Sequence, residues 1–188
     1  MKLETIEETT KLIISAIEDE PQLIDEFLKL TKVEFSTEIS TMAVKVLDDK
    51  IFLLINRDFV DKYCQTVEDL HFLFYHELYH LYFGHLFLDI NCDNQVLLNV
   101  VFDAFVNSLL VKKLKDSKYI SILFRTYKND KIPECILRPP ENYGSQNYKI
   151  PQQLPIIYKW VIEKLYYSKE GVSYNELIEI LKKEEIFK

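Results

Sequence analysis

Apolar and polar positions recur along this chain with two different periods, and the switches between them mark out its elements. From Glu4 to Glu18 the apolar residues return every three or four positions, which predicts an amphipathic helix. Pro21 then stands where a helix-opening proline belongs, ahead of a second helix over Gln22–Lys32. Met42–Leu47 and Ile51–Asn56 are strand-like, and Leu47-Asp48-Asp49-Lys50 between them predicts a hairpin. Thr66 with Asp69 three residues on is a capping-box signature. Val67–Phe83 has neither Gly nor Pro, and Gly84 supplies a stop, so a helix is predicted there. Another is predicted over Asp93–Lys112, with Asp93 as its N-cap. Lys131–Pro155 contains five of the six prolines and is predicted to be irregular. Gln153–Tyr167 resumes a helix, and Ser173 with Glu176 opens the last one. The pattern predicts an α+β fold, mostly helical, with a small antiparallel hairpin beside the Val67–Phe83 helix. One domain is expected over residues 1–188: N-terminal helices in 1–36, hairpin and central helices in 38–112, a Pro-rich loop in 131–155 and C-terminal helices in 152–188.

Within the apolar stretch Leu70–Leu88 lies His76-Glu77-Leu78-Tyr79-His80, which reads H-E-x-x-H. At about 100° per helical residue, His76 and His80 project from nearly the same side, so both imidazoles can reach one tetrahedral metal ion. Glu77 is turned aside from that ion, where a carboxylate can take a proton from water instead of binding the metal. Burying two histidines and a glutamate without a metal or polar partners would cost several kcal/mol.

A catalytic zinc needs a third protein ligand and an open position. His85 is the nearer candidate, but along a continued helix it would lie about 180° from His76, so ligation would require a reversal at Gly84. It is read as a histidine supporting the ligands or the helix end. Asp103 is the stronger candidate. Asn99, Asp103 and Asn107 fall four apart on one stripe of an otherwise apolar helix, and short Asn and Asp suit a crowded polar site better than a solvated face, which usually carries Lys or Glu. A plain surface stripe has the same spacing.

From Thr41 through Val111 the chain resembles the metallopeptidase domain often joined to a von Willebrand factor A-like domain. The resemblance rests on the hairpin, on Asn56 followed by Phe59, on H-E-x-x-H-x-x-x-G-H over His76–His85, and on N-x-x-x-D-x-x-x-N at Asn99, Asp103 and Asn107. Tyr158-Lys159-Trp160 after the Pro-rich loop resembles the family's C-terminal portion more weakly. The resemblance implies a zincin-like fold with one Zn2+ held by His76, His80 and Asp103. No von Willebrand domain is read in the chain, so docking through one is not expected. A looser resemblance is to the small metallopeptidases encoded beside phage-type repressors, whose later helix matches only around Asp103-Ala104.

The remaining features narrow the classes. Hydrophobic residues make up 48% of 188 positions and aromatics 13%, which is globular composition. With 3 glycines there is no Walker A or G-x-G-x-x-G motif. A net charge of −7 disfavours nucleic-acid binding, and Lys112, Lys113, Lys115 and Lys118 are read as a solvated helix end. Cys64, Cys92 and Cys135 form no metal or disulfide pattern, there is no leader-like segment at Met1-Lys2-Leu3-Glu4, and a cytoplasmic setting is expected. The apolar run Val96–Val111 is read as too short to span a bilayer, so no membrane partner is expected. Arg138, Tyr143 and Tyr148 in the Pro-rich loop could contact substrate or oxyanion, or simply wrap the core. The expected function is zinc-dependent peptide hydrolysis with Glu77 (catalytic) as general base, acting on a peptide or protein substrate. The alternatives are a non-catalytic, zinc-stabilised binding or regulatory protein and, from charge the least favoured, a nucleic-acid-binding module.

Overall fold

In the computed structural model, which describes residues 2–90 and 92–187, helix α1 (Ile6–Ile17) opens with Thr5 accepting a hydrogen bond from the Glu8 amide. Met1, Asn91 and Lys188, which belong to the predicted segments 1–36, 38–112 and 152–188, lie outside that description. The second helix, α2 (Pro21–Leu28), starts on its proline as expected but ends four residues earlier than predicted. Lys32 instead opens a strand, β1 (Lys32–Phe35), so the segment 1–36 is not purely helical. The hairpin strands are β2 (Met42–Leu47) and β3 (Lys50–Ile55). Asp48 and Asp49 turn between them with φ of 49° and 59°, the left-handed pair that matches strand twist in a two-residue turn.

The sheet is mixed, correcting the expected antiparallel one. Its order is β1-β3-β2, with β1 parallel to β3 and β2 antiparallel to it. Central β3 buries Leu53, Leu54 and Ile55, while β2 is left as an edge. Asn56 then caps a short helix that the sequence reading missed, α3 (Arg57–Tyr63), its side chain accepting from the amides of Asp58 and Phe59.

Helix α4 (Val67–Tyr82) carries the H-E-x-x-H sequence and packs against β2, α1 and α2. Its core face holds Leu70, Phe74 and Leu78, each fully buried, and the Tyr75 hydroxyl donates to the Ala16 carbonyl of α1 at 2.5 Å. The predicted capping box is present: Thr66 Oγ1 accepts from the Asp69 amide, and Asp69 Oδ2 accepts from the amides of Thr66 and Gln65. At the other end Gly84 adopts φ 68°. Its amide donates to Leu81 and that of His85 to His80, the paired bonds of a Schellman motif.

The chain divides into two compact units, Met1–Leu88 and Asp89–Lys188. The boundary falls inside the predicted block 38–112, between the helix of His76 and the helix of Asp103. In the second unit α5 (Gln95–Leu114) packs against α6 (Ser117–Thr126), α7 (Ile156–Tyr166) and α8 (Tyr174–Leu181). Asn94, not Asp93, caps α5: its side chain accepts from the Leu97 amide and donates to the Phe187 carbonyl, whereas Asp93 is exposed. At 20 residues α5 is long and apolar enough to cross a membrane by length and composition alone, contrary to the expectation from Val96–Val111, and 56% of its most apolar window is buried within the protein. Lys112 and Lys113 occupy the last turn of α5, but Lys112 is not fully solvated: it donates to the Ser168 carbonyl; Lys115 ends the helix left-handed at φ 53°, and Lys118 lies in the first turn of α6, another element not anticipated. Ser173 and Glu176 form the second capping box, opening α8. Among the described residues the architecture is α+β, with eight α-helices and a three-stranded sheet.

Candidate metal centre

Two residues from the end of α4, His80 stands at the meeting point of three imidazoles. Its Nε2 lies 3.0 Å from Nε2 of His76, one turn earlier, and its Nδ1 lies 3.1 Å from Nδ1 of His85. The first distance follows from helix geometry, because residues four apart share a face. Two nitrogens bound tetrahedrally to zinc at 2.0–2.1 Å would stand about 3.3 Å apart, so the observed pair needs only a few tenths of an ångström to fit such an ion. The second distance depends on Gly84. Its left-handed backbone reverses the chain and lays His85 back over the last turn, where it is 7% exposed and stacked against Phe83. His85 thus approaches the side of His80 remote from His76.

Glu77 is 7% exposed and sits between the two histidines in sequence but faces the sheet. Its Oε2 accepts a hydrogen bond from the Val44 amide of β2 at 3.0 Å. That bond satisfies an edge-strand donor and part of a buried carboxylate together. Nothing local in the sequence signals it, since the partners are 33 positions apart.

Asp103 lies near the middle of α5 and is half-buried, between an exposed Asn99 and a buried Asn107. The predicted stripe is therefore a gradient of burial and not a solvated face. Asn99 accepts from Gln95 Nε2, and Asn107 donates its side-chain amide to the Leu137 carbonyl at 2.9 Å, tying α5 to the Pro-rich segment. His76 and His80 of α4 and Asp103 of α5 are each half-buried, and each is of a residue type that binds metal ions.

The three Pro-rich-loop candidates are engaged in the packing of the second unit. Arg138 is 5% exposed, pairs with Glu141 at 2.5 Å, donates to the Tyr127 carbonyl and lies 4.2 Å over the Phe124 ring. Tyr143 donates to the Tyr166 carbonyl, and burial pushes its hydroxyl above the usual tyrosine range. Tyr148 stacks on Tyr167 with ring centres 4.2 Å apart. The fourth histidine, His71, also lies on α4. Burial holds its imidazole below the ordinary histidine range, with Glu68 pulling partly the other way.

No protein-family model matches the chain, and neither a curated protein nor a solved structure matches it.

Proposed function

We propose that this protein hydrolyses peptide bonds with one zinc ion held by His76 and His80 of α4 and Asp103 of α5. The observation that carries the reading is the 3.0 Å convergence of the two Nε2 atoms beside a buried glutamate on the same helix. Two imidazoles and a carboxylate match the three-ligand sets that zinc enzymes use, with a fourth position for water or substrate. When bound, zinc would supply Lewis acidity to the water and to the scissile carbonyl.

The protein's own groups divide the remaining work. Glu77 takes a proton from the attacking water and returns it to the leaving amine, a task that needs a carboxylate near the metal donors but not among them. Donation from His80 Nδ1 to His85 Nδ1, 3.1 Å away, would leave the Nε2 lone pair of His80 available to the metal. The H-E-x-x-H-x-x-x-G-H and N-x-x-x-D-x-x-x-N patterns, on which the sequence resemblance to the von Willebrand-associated metallopeptidase domain rests, favour the same assignment. The substrate is a peptide or an unfolded protein segment.

Elemental analysis of purified protein, followed by cleavage assays on unfolded and peptide substrates, tests the proposal. One zinc per chain is expected, with cleavage lost on chelation and restored by zinc. Glu77→Gln should keep the zinc and lose cleavage. Full turnover by Glu77→Gln would remove the base, and zinc binding without cleavage of any substrate would reassign the chain as a zinc-stabilised binding protein.

A further inference from the structure

Resting on that reading, we propose that the main-chain amide of Val44, on the edge strand β2, is the positioning group for the general base Glu77. In the antiparallel pair β2–β3, successive residues direct their amides alternately toward the partner strand and away from it. Asn56 donates to Thr41 at 2.8 Å, so Thr41, Ala43 and Lys45 belong to the set bonded across to β3, and Val44 directs its amide outward. An outward amide on an edge strand has no ladder acceptor. Val44 is 7% exposed, so that amide is buried, and Glu77 Oε2 accepts from it at 3.0 Å.

This bond fixes the orientation of the carboxylate. With Oε2 accepting from the strand, the carboxylate takes its proton from water in a fixed orientation: an O–H bond of water breaks, a carboxyl O–H bond forms, and the same proton later passes to the leaving amine. A carboxylate is planar, so fixing one oxygen while helix α4 fixes the side-chain stem also fixes the other. The base is thereby held by two elements instead of by one flexible side chain, the preorganisation that catalytic constellations require. The same bond occupies this point on the edge of β2, where an added strand would otherwise find a donor.

Amide exchange followed by NMR tests the bond without reference to activity. In the zinc-loaded protein the Val44 amide should exchange slowly. In Glu77→Ala it should exchange at least about tenfold faster, as expected for loss of a hydrogen bond to a charged group. Ala43 and Lys45, which bond to β3, should keep their rates. Unchanged exchange at Val44 would overturn the proposal. Val44→Pro removes the donor without removing a ladder bond, and kcat should fall about 10–100-fold with KM and zinc content preserved. Wild-type kcat in that variant would also overturn it. If Val44→Pro does not fold, the exchange rates in Glu77→Ala still decide. A chain that holds no zinc and cleaves nothing, yet releases the Val44 amide in Glu77→Ala, would overturn the metallopeptidase reading while leaving the strand-to-helix bond intact.

Discussion

Nδ1 of His85 faces Nδ1 of His80 at 3.1 Å, on the opposite edge of the ring from the nitrogen that faces His76. On the proposed reading, a histidine so placed supports the ligand His80 and does not bind the metal itself. Replacing His85 by Ala should weaken zinc affinity by about 10–100-fold without abolishing it, the usual result of removing such a partner. Competition with a zinc-binding dye measures this. Complete loss of zinc would instead make His85 a ligand, and Asp103→Ala, which should lose zinc strongly, provides the contrast.

Gly84 carries the turn that brings His85 back. A Cβ built there meets nothing within 4 Å, so Gly84→Ala adds no clash, only the cost of an L-residue at φ 68°. A loss of about 1 kcal/mol is expected from urea unfolding. Zinc affinity should fall in the same variant, because fraying of the last turn displaces His85. A stability loss with unchanged zinc affinity would separate the turn from the metal site.

The N-terminal cap of α4 is asymmetric. Thr66→Ala removes one acceptor and should cost about 1 kcal/mol. Asp69 is fully buried and accepts from two amides, so Asp69→Ala should cost more, roughly 2–3 kcal/mol, by leaving both without an acceptor. Denaturation of the two variants in parallel checks the order.

Burial pushes the Cys135 thiol up to about 12 and the Tyr174 hydroxyl up to about 12. In the unfolded chain these groups ionise near their ordinary values, about 8.5 and 10. Above pH 9 the unfolded state therefore binds fewer protons than the folded one, and stability falls as pH rises. Cys135 contributes a slope of up to about 1.4 kcal/mol per pH unit between its unfolded and folded values, and half-buried Tyr174, screened by solvent, a smaller one. Urea midpoints should be lower at pH 10 than at pH 8, and Cys135→Ala should flatten the first part of that decline. A midpoint that does not move over this range would contradict the assignment. At pH 8 the half-buried Cys92 should react with iodoacetamide well before Cys135.

Elements encoded by short-range signals were legible. The hairpin needed only Asp48-Asp49 between two apolar runs, and α4 needed only Thr66, Asp69 and Gly84. What escaped depends on distant partners. Strand β1 is four residues long, is separated from a helix by only three residues, and exists because β3 pairs with it in parallel. Its Lys-Val-Glu-Phe sequence alone does not distinguish it from a helix end. The start of α6 was hidden because Lys115 and Lys118 looked like the tail of α5, whereas left-handed Lys115 separates the two helices. The site shows the same division. His76, Glu77 and His80 follow from spacing, the orientation of His85 from one backbone angle, and the anchoring of Glu77 from a strand 33 positions away.

Both ends of α4 are closed by residues of its own sequence, the capping box before it and the glycine reversal after it. Neither closure uses an imidazole: the first rests on Thr66 and Asp69, the second on main-chain amides. The contacts that end the helix are thus separate from the side chains that could do chemistry, so the start and stop of this segment do not dictate which reactive groups it carries.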